Sequence, residues 1–158
     1  MSDAGGAGAV RPFTAIILAA DRETVNPVAA AAGVACKALA EVAGTPMVVR
    51  VMAALAASGE VERMVLCGPS RAIVEGSQPL AEALARHGAG WLEHQATPSL
   101  SAHHALASLP AQTPVLLTTA DHALLSARVV TDFCRQARSR GGDVAAAVAR
   151  RETVLAAY

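Results

Sequence analysis

The sequence has few aromatic residues, one lysine and no closely spaced cysteine pair. Aromatic residues make up 3% of the 158-residue chain, so the 53% share of hydrophobic residues is mostly alanine, valine and leucine. The three cysteines, Cys36, Cys67 and Cys134, are widely spaced and odd in number, which argues against a disulfide framework and against a structural zinc site. We therefore expect a core of small aliphatic contacts and a reducing, cytoplasmic environment.

The sequence also lacks an excess of charge and a long apolar run. Thirteen basic residues balance thirteen acidic ones, so no net field attracts nucleic acid or an anionic membrane, and any phosphate binding must be local. The longest uncharged stretch is interrupted by histidine, proline and glutamine, which do not suit a membrane span. We predict no nucleic-acid partner and no membrane partner. Residues 1–11 contain an acid and several glycines rather than the features of a secretory signal, and we expect a flexible leader.

Short apolar runs alternate with longer alanine-rich segments of helical period. Strands are predicted at residues 13–20, 61–68, 90–95, 113–121 and 143–149, with helices between them. This alternation is typical of repeated strand-helix units around a mainly parallel sheet. We therefore expect residues 12–158 to form one nucleotide-binding α/β domain, a Rossmann-like three-layer sandwich.

Capping residues indicate where the helices begin. Thr45 is expected to cap a helix with Pro46 at its first position, and Ser126 a later one. A short helix before the fourth strand is expected to be capped by Ser99 or by Ser101.

Residues that can bind phosphate and metal follow the first and the fourth predicted strands. Asp21 begins a long loop that carries Lys37, and the fourth strand delivers Thr119, Ala120, Asp121 and His122 to the same edge. Ligands of open parallel sheets bind outside the carboxyl ends of the strands, so these groups converge if the two strands are neighbours. An ammonium neutralises phosphate oxygens, and a carboxylate holds a divalent cation that binds the same phosphates. The pattern predicts a nucleotide site.

Lys37 is the one lysine among thirteen lysine and arginine residues. A solvated loop lysine is the simplest explanation, but a chain that otherwise uses arginine has little reason to place lysine at a neutral surface position. An ammonium meets a phosphate as a compact point charge, which a guanidinium does not reproduce. We therefore favour a phosphate contact at Lys37.

Three segments, "AIILAA", "KALAEVAGTPMVVRVMAALAASG" and "TTAD", carry a resemblance to a known family. In this order they resemble the nucleotidyltransferases of the sugar-phosphate and molybdenum-cofactor type. The resemblance covers essentially the whole chain and implies a GT-A-like core, truncated at its C-terminal end. It implies transfer of a nucleoside monophosphate from a nucleoside triphosphate to a phosphorylated acceptor, a sugar phosphate or cofactor precursor, with release of pyrophosphate. Mg²⁺ is the implied cofactor.

The resemblance also assigns roles to individual residues. Lys37 matches the phosphate-binding lysine, Arg22 the arginine of the phosphate loop, and Asp121 the aspartate that coordinates magnesium, so that Lys37 and Arg22 are the expected catalytic residues. Two further sets are expected to bind the nucleotide: Ala19, Ala20, Asp21 and Arg22 beside the phosphates, and Gln95, Ser99 and Ser101 near the base and the ribose.

The loop after the first strand departs from the family pattern. The family usually has glycine where this chain has Asp21, and this loop is several residues longer. A carboxylate there would repel a triphosphate unless it is turned away or shares a cation. Either this loop binds phosphates less well, or it has its own geometry, in which the segment "NPVAAAAGV" folds as a small helical cover.

Two alternative functions follow from these departures. A non-catalytic nucleotide-binding or assembly module of the same fold is the first alternative. A nicotinamide-dependent oxidoreductase is disfavoured, since no G-x-G-x-x-G follows the first strand. A second metal-binding acid and an acceptor half have no counterpart before Tyr158, so the chain alone is expected to be inactive.

Overall fold

A computed structural model describes residues 11–21 and 26–157 of the chain. Most of the expected leader and the expected loop arginine, Arg22, lie outside the described residues. The elements are, in chain order, β1 (Phe13–Leu18), α1 (Pro27–Ala32), a 3₁₀ turn (Lys37–Leu39), β2 (Glu41–Val42), β3 (Thr45–Pro46), α2 (Met47–Ala57), β4 (Val61–Cys67), α3 (Arg71–Gly76), α4 (Gln78–His87), β5 (Gly90–Leu92), α5 (Pro98–Ala107), β6 (Val115–Thr119), α6 (Ala127–Arg140) and α7 (Arg151–Ala157).

Four parallel strands form the central sheet, in the order β5-β4-β1-β6. The first and the fourth predicted strands, β1 and β6, are therefore neighbours. Leu18 pairs with Cys67 of β4 on one side and with Thr119 of β6 on the other. Because these pairs are the last of their ladders, the three strands end level with one another at one edge of the sheet.

The two faces of the sheet are covered by different helices, which gives the three expected layers. The buried faces of α2, α4 and α6 join the side of β1 that carries Ala15 and Ile17 in the larger hydrophobic cluster. On the opposite face, Ile16 packs with Ala105 of α5 in a smaller cluster. The alternation of side chains along β1 produces both contacts, since successive residues of a strand point to opposite faces.

Three local predictions are wrong. Residues 143–149 form no strand, and Val144 and Val148 are 90% and 88% exposed, because no neighbouring strand pairs with this segment within the described ranges. Thr45 lies in β3 and does not cap α2. The helix begins at Met47, one residue after the predicted first position, Pro46. The cap of α5 is Thr97, whose Oγ1 accepts a hydrogen bond from the Leu100 nitrogen at 3.2 Å.

Other boundaries are confirmed. The Ser126 hydroxyl caps α6, which ends at a left-handed glycine, Gly141. The segment with the sequence "NPVAAAAGV" contains α1, capped by Asn26 and ended by Gly33. Within residues 11–21 and 26–157, no helix combines the length and the apolar character needed to cross a membrane.

Candidate functional site

The level strand ends bring Lys37 and Asp121 together. Asp121 lies two residues after the end of β6, and its Oδ2 forms an ion pair with Lys37 Nζ from the turn after α1. The Thr119 hydroxyl, at the last position of β6, donates to Asp121 Oδ1 at 2.5 Å. Both charged side chains are about one third exposed, 32% for Lys37 and 35% for Asp121, so they lie at the sheet edge within reach of a ligand.

Electrostatics keep Asp121 ionised. Burial alone would raise the pKa of this carboxyl group, but the hydrogen bonds from Lys37 and Thr119 and the charge of Lys37 outweigh it, so the pKa lies below its ordinary value. At neutral pH the group is therefore a carboxylate, the form that binds a cation.

Asp21 is bonded to the backbone that carries Lys37. Its Oδ2 accepts a hydrogen bond from the Lys37 main-chain nitrogen at 3.0 Å, and its Oδ1 accepts one from Asn26 Nδ2 at 3.5 Å. The Asn26 Oδ1 in turn accepts from the nitrogens of Val28 and Ala29 at 3.0 and 3.3 Å, as a helix cap. The start of the long loop, its helix and its lysine are thus one connected unit.

Two adjoining pockets extend along this edge of the sheet, and we call them together the edge crevice. The lysine pocket, of about 510 Å³, lies against Lys37, Asp121 and Thr119. The α5 pocket, of about 570 Å³, lies against the start of α5 and the segment before it. Four residues line both pockets: Leu18, Ala20, Asp21 and Pro98. Volumes of this size suit small-molecule ligands.

Most of the predicted site residues line the edge crevice. The lysine pocket contains Ala19, Ala20, Asp21, Lys37 and Asp121, and the α5 pocket contains Gln95 and Ser101.

The other two predicted residues are not in this set. Ser99 is exposed on α5 and is not among the residues that line either pocket. Arg22 lies outside the described residues.

Ser101 has a structural bond within its pocket. Its side chain is almost fully buried, and its Oγ accepts a hydrogen bond from the Gln95 nitrogen at 2.9 Å. This bond ties the segment after β5 to α5. The hydroxyl proton of Ser101 remains a donor, because the oxygen uses a lone pair in the bond to Gln95.

The roles of several residues of the edge crevice were not predicted from the sequence. Asn26 fixes the loop, Thr119 orients Asp121, and His94 and Pro98 line the α5 pocket. Asn26 had a readable signal, since asparagine before proline is a common helix start. Thr119 had none beyond its spacing of two from Asp121, because the bond depends on how the chain turns after β6.

Gly68 allows two segments that line the α5 pocket to approach each other. Its φ is +75°, and a Cβ built there would lie 3.2 Å from Ala20 Cβ and 3.3 Å from His94 Cβ. A side chain at this position would therefore push against both the first strand's loop and the segment after β5. Because glycine has no Cβ, Ala20 and His94 can pack closely here, where both line the α5 pocket.

Two nearby reactive groups have ordinary explanations. The Cys36 thiol is 2% exposed, and burial is the main cause that raises its pKa, so at neutral pH it is a thiol and not a nucleophilic thiolate. His122 Nδ1 lies 3.4 Å from the Thr118 hydroxyl on the exposed side of the strand end. Neither residue lines the edge crevice.

A comparison with protein families identifies the domain. The model of the MobA-like NTP transferase domain matches residues 15–158, nearly the whole chain. The chain belongs to this family. The resemblance to nucleotidyltransferases that we inferred from the sequence is therefore confirmed.

Solved structures agree with this assignment. A hypothetical transferase from Thermus thermophilus is 26% identical with a TM-score of 0.57, and the match covers 84% of this chain and 48% of that one. A 4-diphosphocytidyl-2C-methyl-D-erythritol synthase from Anaerococcus prevotii is 15% identical, with a TM-score of 0.62 and coverage of 90% and 60%. A nucleotidyl transferase from Methanothermobacter thermautotrophicus is 16% identical, with a TM-score of 0.59 and coverage of 78% and 57%.

The NTP transferase domain described here spans about half to three fifths of the length of these structural matches, 48% to 60%. The two matches of lower identity show a shared α/β fold. A comparison with curated protein sequences gives no match.

Members of the NTP transferase family typically use a divalent metal. Among the described residues, no cluster of three or more histidine, cysteine or acidic side chains could hold a metal ion. Magnesium does not need such a cluster, since it is usually held by one or two carboxylates together with water and substrate phosphates. Asp121, ionised and partly exposed beside Lys37, fits this pattern as a single protein ligand.

Proposed function

We propose that the protein is a nucleotidyltransferase that moves a nucleoside monophosphate from a nucleoside triphosphate to a phosphorylated acceptor and releases pyrophosphate. One observation carries the proposal: Lys37 and Asp121 meet at the carboxyl edge of neighbouring strands, beside a crevice large enough for a nucleotide. The pairing of a phosphate-neutralising ammonium with a cation-binding carboxylate suits triphosphate chemistry. The family assignment supports the same reaction class.

The proposed reaction needs little from the protein beyond position and charge. An anionic oxygen of the acceptor phosphate attacks the α-phosphorus, and the bond from that phosphorus to the bridging oxygen breaks, so that pyrophosphate leaves with the electron pair. The nucleophile is already ionised at neutral pH, and no general base is required.

Lys37 is proposed to neutralise the phosphate oxygens. In the structure its ammonium is paired with the Asp121 carboxylate. When a triphosphate binds, Lys37 would pair with the phosphate oxygens in place of Asp121. Asp121 would hold Mg²⁺, which would supply further charge neutralisation to the phosphates. Asp21 would keep Lys37 in place through the main-chain bond, and the backbone of Ala19 and Ala20 would line the phosphate path. Arg22 remains a proposed catalytic partner from the family pattern.

The base and ribose are proposed to occupy the α5 pocket. It adjoins the lysine pocket through Ala20 and Asp21, so a nucleotide could extend from one to the other. Gln95 and the free proton of Ser101 offer polar contacts there, and Ser99 would act only if a ligand reaches the outer surface of α5. The three cysteines are free and buried, which supports the proposed cytoplasmic setting.

Magnesium-dependent release of pyrophosphate tests the proposal. The four common nucleoside triphosphates are incubated with a panel of sugar phosphates and phosphorylated cofactor precursors, using the 158-residue chain and any longer chain that its reading frame encodes. We expect acceptor-dependent release in a longer chain, where the reading frame encodes one, and its loss in Asp121→Asn. Nucleotide binding without release would favour a non-catalytic binding module. Absence of both would overturn the proposal.

A further inference from the structure

Arg50 connects the two segments that carry Lys37 and Asp121. From α2, its Nε donates to the Ala123 carbonyl oxygen at 2.9 Å, and its Nη1 donates to the Val42 carbonyl oxygen at 3.4 Å. Ala123 lies two residues after Asp121, and Val42 ends the short strand that follows the Lys37 turn. One side chain is thus bonded to both of these segments.

The helix that holds Arg50 is firmly anchored. Val48, Val51 and Met52 of α2 are fully buried in the larger hydrophobic cluster. The Met47 nitrogen also donates to the Ala40 carbonyl oxygen at 3.0 Å, which joins the start of α2 to the chain after the Lys37 turn. Because α2 is fixed in the core, a bond from Arg50 transfers that rigidity to both segments.

The charge of Arg50 does not explain its position. Both of its hydrogen-bond partners are main-chain carbonyl groups, and none of the five ion pairs found among the described residues involves it. What the site uses is the guanidinium fork, which presents several donors in fixed directions. A lysine ammonium at the end of a flexible chain would not reproduce both bonds.

We infer that Arg50 is a positioning residue that holds the segments of Lys37 and Asp121 at a fixed separation. It is not among the residues that line the edge crevice, so its effect passes through the two segments and not through the nucleotide. The catalytic part of this inference depends on the proposed function. Small displacements of charged groups can lower the catalytic rate about 100-fold. A residue outside the crevice that fixes Lys37 and Asp121 can therefore affect catalysis.

Amide hydrogen exchange tests the positioning role without any substrate. In Arg50→Met, we expect exchange to rise about tenfold in residues 37–42 and in residues 121–125, with β1 and β4 unchanged. Arg50→Lys should resemble Arg50→Met, and it carries the same test if Arg50→Met does not fold. Arg128→Met is the control, because the Arg128 side chain is 90% exposed and its ion pair among the described residues is with Asp132 on its own helix.

Steady-state kinetics give a second readout. In a chain that turns over, we expect Arg50→Lys and Arg50→Met to lower kcat about tenfold per folded molecule while KM for the triphosphate changes less than twofold. Unchanged exchange in both segments, or a lower melting temperature with normal kcat, would show a purely structural role and overturn the inference. If neither the 158-residue chain nor a longer chain from the same reading frame binds or turns over a triphosphate, the proposed function fails, and the exchange experiment still decides the role of Arg50.

Discussion

The carboxylate of Asp21 accepts a hydrogen bond from the main-chain nitrogen of Lys37 at 3.0 Å, across 16 positions of sequence. This bond closes the long loop between β1 and the Lys37 turn. Nucleotidyltransferases of this type usually have glycine at the position of Asp21, so the charge at first suggests repulsion of a triphosphate. In the structure the carboxylate is directed to the loop backbone and to Asn26. The Asp21 side chain thus joins the two ends of the long loop.

Replacement of Asp21 tests this clamp. Asp21→Ala leaves the Lys37 nitrogen and Asn26 without their acceptor, and we expect the free energy of unfolding to fall by about 1–3 kcal/mol, as for hydrogen bonds to charged groups. Asp21→Asn keeps an acceptor oxygen and should lose less than half as much. Urea unfolding measures both.

Asp132→Ala is the matched control for Asp21, since the Asp132 side chain is 57% exposed and, within the part of the chain that the structure describes, its ion pair is with Arg128 one turn away. Its effect should stay within about 0.5 kcal/mol. If Asp21→Ala and Asp132→Ala unfold at the same urea concentration, the clamp contributes nothing.

Lys37 can be removed with little effect on the fold. Its ion pair with Asp121 is about one third exposed, and pairs of this kind contribute at most about 1 kcal/mol. We expect Lys37→Met to lower pyrophosphate release by about 100-fold or more, as for other groups that stabilise charge in a transition state. Lys37→Arg should keep only part of the activity, because a guanidinium replaces a compact ammonium.

The measurement for Lys37 is the rate of pyrophosphate release at saturating magnesium, with the melting temperature recorded for each variant. Arg128→Met, at the exposed position used above, is the control and should keep full activity. A Lys37→Met variant with more than half of the normal rate would remove Lys37 from the mechanism.

The sequence was most informative about the site where a rare residue type, or a charged residue at the end of a predicted strand, marks a position. The meeting of Lys37 and Asp121 could be predicted because Asp121 follows one parallel strand, while Lys37 is the one lysine of the chain and lies in the long loop after a neighbouring strand. The bonds of Asp21, Thr119 and Arg50 could not, since each joins groups whose meeting depends on how loops and helices pack. Residues 143–149 show the reverse error: an apolar pattern favours a strand, but a strand also needs a neighbour to pair with, and no pattern within the segment reports that.

Replacement of Gly68 tests the close packing between Ala20 and His94 in the α5 pocket. Gly68→Ala must place a Cβ near Ala20 and His94 at a φ of +75°, so we expect a loss of about 2–4 kcal/mol from strain and crowding together. Gly88→Ala is the matched control, since its φ is +56° and nothing lies within 4 Å of the added Cβ. It should lose only about 1–2 kcal/mol. Equal losses in thermal or urea unfolding would mean that the contact with Ala20 is unimportant.

The hairpin between β2 and β3 offers a stabilising change. Its two turn residues, Ala43 and Gly44, both have positive φ, 52° and 74°, as in the type I′ turn of two-residue hairpins. Asparagine tolerates this conformation better than alanine, so Ala43→Asn should raise the free energy of unfolding by about 0.5–1 kcal/mol. Ala56→Asn, on the exposed side of α2, should lower it, since asparagine is a poorer helix former than alanine. A destabilised Ala43→Asn variant would contradict the turn assignment.

Glu60 predicts how stability depends on pH. Its side chain is 11% exposed and accepts hydrogen bonds from Arg138 and Arg135, which join α6 to the turn before β4. The Arg138 hydrogen bond is the main cause that lowers the pKa of Glu60 in the folded protein, against an opposing effect of burial. Since the folded pKa lies below the unfolded value of about 4.3, the contribution is complete above that value and is lost as pH falls through the folded pKa.

Glu60→Gln isolates this contribution from that of Asp121, whose pKa is also lowered. At pH 7 we expect the variant to be less stable than the unmodified protein by about 1 kcal/mol, since Arg138 is largely buried and Arg135 is mostly exposed. The difference should shrink as pH falls from about 5 towards 3, because protonated glutamic acid and glutamine are both neutral. Urea unfolding at a series of pH values measures it, and a difference that stays constant over this range would show that the ionised state of Glu60 is not what stabilises the contact.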